Sequence, residues 1–390
     1  MALQASQATR PKVAFLMHLM QVAGAEVLVT QIIERLRERF DFQVICLDGL
    51  GQLGEQLVER GTSVVVLGRK PGIDWQTVSR LRNHLRRESV DLLHAHQYTP
   101  FFYGALARLT GAWRTKLLMT EHGRFYPDIV SWKRRLANRH VLTRVCDHAT
   151  ACCRFSAEAL QVNDGFSTVE TLYNGVDIQQ MATRGTDQEV ALRRLNLGLR
   201  DDRLYVACIA RFHPVKDHLT LIKAWPEVLR RVPQARLLLV GDGPQGEPIR
   251  KLVDELKVSD SIEFWGIRHD VAEILRAVDL FVLPSLSEAA SLTLLEAMSC
   301  QCPPVVTQVG GNPEHVTDGV EGRLVPRGDF VRMAEAIVDL LDNASLRRSM
   351  GHASRQRVIN AFDLNQAIGR YAELYSSLTN KRSLNNKRSG

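Results

Sequence analysis

Two glutamates eight positions apart, Glu288 and Glu296, are the residues whose types and spacing point most directly to chemistry. Glu288 follows the apolar run 280–283 and Pro284, which predict a buried parallel strand ending at a turn. Glu296 falls about one and a half turns into the helix predicted at 291–298. The free N–H groups at the start of that helix can bind a phosphate, and both carboxylates can accept hydrogen bonds from sugar hydroxyls. The pair therefore predicts a site for a phosphorylated, polyhydroxylated ligand, although solvated glutamates at this spacing also occur by chance.

Two cations lie in the loop after the first strand predicted in the second half of the chain. This strand, at 204–210, is followed by Arg211 and Lys216, and an amphipathic helix is predicted from His218. Ligands of parallel sheets bind beyond the carboxyl ends of the strands. A guanidinium fork and an ammonium group at that edge suit a diphosphate. The alternative is a structural salt bridge from these cations to Asp217 or another carboxylate.

In the first half of the chain, two residues near strand ends are candidates for a ligand site. His122 follows the predicted strand 116–121, and Gly24 comes shortly after the first predicted strand. Gly24 lets the backbone approach a ligand at the start of the next helix, but a lone glycine is otherwise a turn residue. His94 and His96 also lie near a strand end. An isolated histidine is more often structural than catalytic, whereas placement at strand ends favours a role for His122.

The segment 241–246 matches the dinucleotide fingerprint Gly-x-Gly-x-x-Gly. We reject it as an NAD site because it does not open the first βαβ unit of its domain. Pro244 and Pro248 also interrupt the turn and the helix start that would hold a pyrophosphate. We expect this loop, which includes Gly243, to contribute backbone contacts to a nucleotide instead.

Apolar strand-like runs alternate with amphipathic helical segments, which is typical of parallel sheets with right-handed crossovers. Twelve strands are predicted, at 13–18, 43–47, 63–67, 92–96, 116–121, 148–151, 204–210, 236–240, 262–265, 280–284, 304–307 and 322–325. One open sheet seldom holds so many strands. The predicted fold class is therefore α/β, with two Rossmann-like, doubly wound domains that face each other across a cleft.

The domain boundaries follow from composition. The first domain is predicted at 1–183 and the second at 184–360, because the polar stretch 177–202 has no strand signal and is the best linker candidate. A last helix at 361–378 is expected to pack back on the first domain. The basic, polar tail 380–390 is expected to be frayed and flexible.

The composition is that of a globular protein: 390 residues, 45% hydrophobic and 24% charged. The first twelve residues are polar, so no secretory signal is expected, and no apolar run approaches the length of a membrane span. Seven cysteines, with no Cys-x-x-Cys pair, fit a reducing compartment. No His, Cys or carboxylate spacing indicates a metal site. We therefore expect a cytoplasmic protein without a bound metal.

Positive charge is concentrated in one part of the chain. Residues 76–144 contain 13 Lys and Arg against 4 Asp and Glu, an excess above the net charge of +7 for the whole chain. The basic stretches are 80–87 and 132–144. The second predicts a helix with one face inward (Trp132, Leu136 and Val141) and one face outward (Lys133, Arg134 and Arg139). This surface is either a solvated basic face or a patch for anionic lipid head groups or a phosphorylated acceptor. Nucleic acid is not expected, because aromatic residues do not interleave with the basic ones.

Taken in order, these segments resemble the retaining glycosyltransferases of family 4, which have the GT-B fold. Each motif is short, but their order along residues 13–329 is specific. The matching motifs are Gly24-Ala-Glu26, Asp91-Leu-Leu-His-Ala-His96, Thr120-Glu-His-Gly123, Asn174-Gly-Val-Asp177, Arg211 with Lys216, Gly241-Asp-Gly-Pro244, and Glu288 with Glu296.

The resemblance implies transfer of a sugar from a nucleotide-diphosphate sugar to an acceptor hydroxyl, with retention of configuration and without a metal, cofactor or protein nucleophile. Glu296 would bind the ribose, and Glu288 the donor sugar. Arg211 and Lys216 would stabilise charge on the diphosphate leaving group. The catalytic residues implied are His122, Arg211, Lys216 and Glu288. The donor-binding residues implied are Gly24, Gly243, Ile267, Ser291, Leu292, Thr293 and Glu296.

The sequence departs from the family pattern in two places. Glu288-Ala-Ala-Ser291 stands where Glu-Gly-Phe-Gly is common. The side chains of Ala289 and Ser291 would therefore lie near the donor sugar, which predicts an unusual preferred donor. In the first loop, Ala25 stands where the family often has a second glycine, and we expect it to tighten that approach.

The family's N-terminal domain usually carries acceptor specificity, so its basic stretches indicate a sugar or lipid-linked, anionic acceptor. We expect peripheral association with the inner face of the plasma membrane, in the synthesis of cell-envelope polysaccharide or glycolipid. Two alternatives are kept: a GT-B nucleotide-sugar epimerase or phosphorylase, and a non-catalytic nucleotide-sugar-binding protein. A third, an NAD-dependent oxidoreductase, depends on the fingerprint-like segment rejected above.

Overall fold

The computed structural model of the protein describes residues 10–123 and 132–380. The chain divides into two compact units. Within the described residues, the first unit comprises 10–123, 132–172 and 368–380, and the second comprises Tyr173–Ala367. The basic tail predicted at 380–390 lies outside the described residues beyond Asn380.

The first unit contains a parallel sheet of seven strands in the order β3-β2-β1-β4-β5-β6-β7. The strands are β1 Lys12–Met17, β2 Asp41–Cys46, β3 Ser63–Val66, β4 Leu92–His96, β5 Lys116–Glu121, β6 His148–Ala151 and β7 Glu170–Thr171. The helices between them are α1 Gly24–Leu36, α2 Gln52–Glu59, α3 Trp75–Arg87, α4 Tyr98–Leu109, α5 Trp132–His140 and α6 Arg154–Asp164. A short 3₁₀ turn, Leu142–Val145, follows α5.

The second unit contains a parallel sheet of six strands in the order β10-β9-β8-β11-β12-β13. The strands are β8 Leu204–Ile209, β9 Ala235–Val240, β10 Ile262–Gly266, β11 Leu280–Leu283, β12 Pro304–Thr307 and β13 Arg323–Val325. The helices are α7 Asp187–Asn196, α8 His218–Arg231, α9 Gly246–Glu255, α10 Val271–Ala277, α11 Leu292–Ser299, α12 Asn312–His315, α13 Phe330–Asp342 and α14 Ala344–Ala361. The last helix, α15 Leu364–Thr379, begins in the second unit and ends in the first.

The apolar strands of the second sheet are buried on both faces. Leu280 and Val282 belong to one hydrophobic cluster, whereas Phe281 and Leu283 belong to another. Successive side chains of a strand point to opposite faces of the sheet. The side chains of β11 are all apolar because helices cover both faces of the sheet. This explains why the strand signals of the sequence were continuous rather than alternating.

The strand order positions the candidate site of the second unit. β8 lies between β9 and β11, so the connections leave it in opposite directions and open a crevice beyond the carboxyl ends. In the pairing of β8 with β11, Leu280 lies opposite Val206 and Phe281 opposite Ala207. The loop after β8, with Arg211 and Lys216, and the loop after β11 are therefore neighbours.

All twelve predicted strands are present, with ends that differ by one or two residues. The sequence missed β7, which has two residues and is too short for a periodic pattern. The polar stretch 177–202 lies within the second unit and contains α7. The last helix begins at Leu364 rather than at 361.

The predicted orientation of α5 is wrong. Trp132 and Leu136 are 70% and 53% exposed, and Val141 just beyond the helix is 46% exposed. The inward face carries Arg134 and Asn138 instead. Arg134 pairs with the buried Asp164 at 2.7 Å, and fully buried Asn138 accepts a hydrogen bond from Tyr98 at 2.7 Å. These two residues are four positions apart, on the side of the helix opposite Trp132 and Leu136. Arg139 is exposed as predicted, and the side chain of Lys133 lies outside the described residues.

No helix in the described part of the chain combines the length and apolar character that a membrane crossing requires. All seven cysteines are free thiols, and six of them are buried. Burial raises the pKa of Cys46 and Cys208 to about 12, so these thiols stay protonated at neutral pH and act as small core residues.

Candidate active site

The loops after β8 and β11 are joined by an ion pair. Lys216 Nζ lies 2.5 Å from Glu288 Oε1, and the side chains are 23% and 7% exposed. The N–H of Leu286 also donates to the carbonyl of Val215 at 2.8 Å, which fixes the two loops to each other. The salt bridge considered as the alternative for Lys216 therefore exists, but its partner is a second candidate site residue and not Asp217.

Glu288 is held by residues that the sequence did not single out. The hydroxyl of fully buried Ser285 donates to the same Oε1 at 2.6 Å. The Glu288 carbonyl accepts the N–H of Gly311 at 3.1 Å. A Cβ at Gly310, which has φ +53°, would lie 1.7 Å from that carbonyl oxygen, so only glycine fits. Among the described residues Oε2 of Glu288 has no partner, which leaves it for a ligand. The sequence signal for this tight turn was a Gly-Gly pair shortly after the predicted strand 304–307.

The helix after Glu288 begins as predicted and is capped by Ser291. Its hydroxyl accepts the N–H of Leu294 at 3.3 Å and lies 3.1 Å from the Thr293 hydroxyl. The N–H groups of Leu292 and Thr293 belong to the first turn and have no partner within the helix. They are therefore oriented to bind a phosphate at the positive end of the helix dipole.

Glu296 lies one turn further along α11 and is half-buried. Its carboxyl makes no hydrogen bond or ion pair with the described residues. Burial raises its pKa to about 7. A ligand that donates hydroxyl hydrogen bonds would favour the ionised form, because such bonds stabilise a carboxylate.

Arg211 is exposed and forms no ion pair within the described part of the chain, so the structural alternative does not apply to it. Its loop packs against the loop after β9. A Cβ at Gly241 would lie 2.1 Å from the Ala210 carbonyl oxygen, and one at Gly243 would lie 2.6 Å from that of Phe212. The glycines of the fingerprint-like segment thus allow two backbones to approach each other closely.

Ile267 lies at the same edge of the second sheet, immediately after β10, and is 71% exposed. The Gly266 carbonyl accepts the N–H of Gly241 at 2.7 Å, which joins the loop after β10 to the loop after β9. The loops after β8, β9 and β10 therefore form a connected edge that carries the predicted residues Arg211, Gly243 and Ile267.

In the first unit, His122 follows β5 in a turn fixed by Glu121. The buried carboxylate of Glu121 accepts the N–H groups of His122 and Gly123 at 3.1 and 3.2 Å. Burial lowers the pKa of His122 to about 4, so its ring is neutral at pH 7. The sequence analysis did not single out Glu121, although a carboxylate at the end of an apolar strand is the kind of residue that needs such partners.

Gly24 is the first residue of α1 and is exposed. Ala25 is only 7% exposed, and its methyl group packs into the core. The expectation that Ala25 tightens the approach to a ligand stays a prediction.

Two family profiles match the chain: "Glycosyltransferase Family 4" over residues 22–180, and "Glycosyl transferases group 1" over residues 203–343. The chain is also 30% identical, over 312 residues, to N-acetyl-alpha-D-glucosaminyl L-malate synthase of Bacillus anthracis. That match covers 78% of this chain and 79% of the relative. The chain belongs to glycosyltransferase family 4.

Other comparisons extend over nearly the whole chain. The UDP-Gal:alpha-D-GlcNAc-diphosphoundecaprenol alpha-1,3-galactosyltransferase of Escherichia coli is 24% identical over 378 residues, 93% of this chain and 96% of that one. The structure of HepE from Anabaena, solved with UDP and glucose, matches with a TM-score of 0.79 at 24% identity. It covers 94% of this chain and 100% of the other. The GT-B fold predicted from the sequence is thereby confirmed.

Membership of family 4 confirms the predicted family and the class of enzyme, a glycosyltransferase. The structure brings Lys216 and Glu288 together directly. It places Arg211 and Glu296 on the loop and helix next to them in the same unit. His122 and Gly24 belong to the first unit. The roles of the individual residues stay predictions.

Proposed function

We propose that this glycosyltransferase moves a sugar from a nucleotide-diphosphate sugar to an acceptor hydroxyl with retention of configuration and without a metal. The observation that carries the proposal is the set of charges at the carboxyl edge of the second sheet. Lys216 and Arg211 supply positive charge, the first turn of α11 supplies free N–H groups, and Glu288 and Glu296 supply hydroxyl acceptors. This combination matches the three parts of a nucleotide sugar: diphosphate, ribose and hexose.

The proposed reaction breaks the bond from the sugar anomeric carbon to the diphosphate oxygen and forms a bond from that carbon to the acceptor oxygen. The acceptor proton passes to the departing phosphate oxygen, on the same face of the sugar, which accounts for retention. Arg211 and Lys216 stabilise the negative charge that develops on the diphosphate. His122, from the first unit, is assigned to the donor sugar.

The ion pair of Lys216 with Glu288 describes the site before a ligand binds. A diphosphate would attract Lys216 more strongly than a single carboxylate does, because it carries more negative charge. Glu288 would then turn its free oxygen to a hydroxyl of the donor sugar, while Ser285 keeps the other oxygen in place. We infer that donor binding exchanges one partner of Lys216 for another.

The donor sugar is proposed to differ from that of relatives with Glu-Gly-Phe-Gly in this loop. The Ser291 hydroxyl caps α11 rather than extending from it, so the added bulk near the sugar comes from the half-buried Ala289, which stands where the pattern has its first glycine. Its methyl group favours a donor sugar with little substitution on the side facing this loop.

The acceptor is proposed to be anionic and held at the cytoplasmic face of a membrane, in the synthesis of envelope polysaccharide or glycolipid. The relative from Bacillus anthracis acts on malate by its name, and that from Escherichia coli on a diphospholipid, so both named acceptors are anionic. In this chain α5 exposes Trp132 and Leu136 beside the exposed Arg135 and Arg139. Exposed aromatic and apolar side chains among cations are typical of helices that lie on anionic lipid.

Donor identity is tested by thermal shift with UDP-, GDP- and ADP-sugars, and with NAD as a negative control. At a concentration of about 100 times Kd, binding stabilises the protein by about 2.7 kcal/mol. For a unit of this size, that corresponds to a rise in Tm of roughly 5–10 °C. A rise with one sugar nucleotide identifies the donor, whereas no rise with any of them, or a rise with NAD alone, rejects the proposal.

Turnover is then measured with that donor and the anomeric configuration of the product read by NMR. Lys216→Ala should lower kcat by about two to three orders of magnitude, and Glu296→Ala should weaken nucleotide binding. Activity that survives a chelator supports metal independence. Release of free sugar phosphate, or a changed sugar nucleotide without an acceptor product, would favour the phosphorylase or epimerase alternative.

Membrane association is tested by flotation with vesicles that contain about one third anionic lipid. The double variant Trp132→Ser/Leu136→Ser should lose binding. Trp113→Ser is the matched control, because Trp113 is 66% exposed but lies outside α5. Equal flotation of the two variants, or flotation that does not depend on anionic lipid and salt, would reject the role of α5.

A further inference from the structure

Two histidines of the first unit meet through their ring nitrogens. His96, the last residue of β4, and His122, just after β5, lie at the ends of neighbouring strands. Nδ1 of His96 is 2.6 Å from Nε2 of His122, and the rings are parallel to within 5° with centroids 4.8 Å apart. Parallel planes joined by a 2.6 Å contact cannot be further apart than that distance, so the rings lie more side by side than face to face. This geometry is that of a hydrogen bond between the two imidazoles.

Both rings are neutral at pH 7, because burial lowers the pKa of His96 well below its ordinary value and that of His122 to about 4. A neutral imidazole carries one N–H and one bare nitrogen. The contact needs one donor and one acceptor, so only two arrangements satisfy it. In one, His122 carries its proton on Nδ1, and in the other on Nε2. The tautomer of His122 is therefore tied to that of His96.

The outer nitrogens of the pair decide between these arrangements. Nε2 of His96 and Nδ1 of His122 are both shielded from water, without a hydrogen-bond partner among the described residues. The His96 side chain is 1% exposed and packs against the rings of Phe15 and His94 at 5.7 and 4.1 Å. In either arrangement one of these two nitrogens carries an N–H that lacks a partner among the described residues, which is costly in a buried place. His122 is the more exposed residue of the two, so an incoming ligand can supply that partner at His122 but not at His96. This asymmetry favours the proton of His96 on Nδ1.

We propose that His96 is a positioning residue that donates from Nδ1 to Nε2 of His122 and so holds His122 in the Nδ1–H tautomer. His122 as a residue is only partly buried, although its Nδ1 is shielded from water in the absence of a ligand. In the proposed arrangement its Nδ1–H donates to an oxygen that arrives with a ligand. This inference rests on the proposed function, in which His122 acts on the donor sugar. It specifies that His122 binds the sugar as a hydrogen-bond donor and not as an acceptor.

The surroundings keep the pair in place. His94 is fully buried, and both of its ring nitrogens have partners: the Tyr375 hydroxyl and the Thr120 hydroxyl, each at 2.7 Å. Its ring lies against that of His96, which prevents His96 from rotating. The structure thus offers a matched control, because His94 is in the same strand and equally buried but makes no hydrogen bond to His122.

The tautomer is measured on the full chain with ¹⁵N-labelled histidine, because ring nitrogen shifts distinguish Nδ1–H from Nε2–H. The signal of His122 is assigned from the spectrum of His122→Gln. We expect His122 to carry Nδ1–H in the wild type and in His94→Asn. The same is expected in His96→Asn, because the asparagine amide can reach the position of the His96 Nδ1. In His96→Gln, whose amide reaches the place of Nε2 instead, His122 should revert to Nε2–H, the form that free histidine prefers.

A wild-type His122 with its proton on Nε2, or an unchanged tautomer in both His96→Gln and His96→Ala, overturns the proposal. If His96→Ala fails to fold, the comparison of His96→Asn with His96→Gln remains; if His96→Gln fails to fold, the tautomer of the wild type decides. With the donor identified by thermal shift, His96→Gln should lower kcat about tenfold, which corresponds to the loss of one hydrogen bond of roughly 1.4 kcal/mol. His96→Asn should keep kcat near the wild-type value. The tautomer is measured without substrate. A failure of this inference is therefore distinguishable from a failure of the proposed function.

Discussion

Replacing Lys216 with methionine tests whether Lys216 and Glu288 form a desolvated ion pair in the free enzyme. The variant keeps most of the aliphatic stem and removes the charge. The Glu288 side chain is 7% exposed, so the change leaves a buried carboxylate with Ser285 as its only side-chain partner among the described residues. Removal of one partner of a buried pair costs about 3–5 kcal/mol. We expect the lower end, roughly 3 kcal/mol, because Lys216 is 23% exposed and the Ser285 bond remains.

The matching change, Glu288→Gln, should cost less, about 1–2 kcal/mol, since the ammonium it leaves behind reaches solvent and the amide oxygen still accepts from Ser285. The double variant replaces the pair with two neutral side chains of similar shape and should cost only about 1 kcal/mol. The coupling energy of the double-mutant cycle is then about 3–4 kcal/mol. For a unit of about 200 residues, the Lys216→Met loss corresponds to a fall in Tm of roughly 6–12 °C.

The measurement is calorimetric unfolding of the four proteins without ligand, because the two units can unfold in separate transitions. Only the transition of the second unit should move. Strictly additive losses, or a Lys216→Met variant within about 0.5 kcal/mol of the wild type, would show that the pair is not formed in solution. The inference that a diphosphate displaces Glu288 from Lys216 would then lose its basis.

Three further predictions concern the same unit. The affinity for the nucleotide should rise about tenfold between pH 6 and pH 8. Burial raises the pKa of Glu296 to about 7, and the ribose hydroxyls bind its ionised form. Calorimetric titration should show that Glu296→Gln loses this pH dependence. Glu288→Gln should bind a nucleoside diphosphate several-fold more tightly than wild type, because Lys216 is no longer neutralised, and equal or weaker binding would contradict this. Gly310→Ala should lower stability by more than about 2 kcal/mol and lower donor affinity. The control Gly328→Ala, which shares the positive φ but meets no atom within 4 Å, should cost only the strain of its backbone, about 1 kcal/mol.

The fold was predictable because its signals are local and repeated. A strand buried on both faces is apolar along its whole length when no polar partner compensates, as β11 is. Motif positions at strand ends then followed from the rule that parallel strands bring their carboxyl ends to one edge. The missed two-residue strand β7 and the orientation of α5 show the limit of such patterns. In α5 the inward face is the one that makes specific polar bonds. The ion pair of Arg134 and the hydrogen bond of Asn138 outweighed the apolar periodicity of Trp132 and Leu136.

The candidate site was predictable by residue type but not by partner. Lys216 and Glu288 were identified separately, one for a phosphate and one for a sugar, whereas the structure joins them before either ligand is present. Ser285 and Gly310 were missed because one supplies a single hydroxyl and the other only the lack of a side chain. The Ser285 hydroxyl has no sequence signal, and the Gly-Gly pair at 310–311 indicates a tight turn but not its contact with the Glu288 backbone. Long-range contacts of this kind need the fold first.

The arrangement around Glu288 explains why a polar site can remain ordered without its ligand. Three buried or half-buried charges, Lys216, Glu288 and Glu296, would each carry a desolvation cost if left alone. The first two neutralise each other, and burial moves the pKa of the third so that part of its population is uncharged at neutral pH. A nucleotide sugar would replace both the ion pair and the protonated form of Glu296, because its diphosphate binds Lys216 and its ribose binds the Glu296 carboxylate. The energy that holds the empty site together is therefore part of what donor binding must overcome, which favours a donor that engages both groups over a nucleoside or a sugar alone.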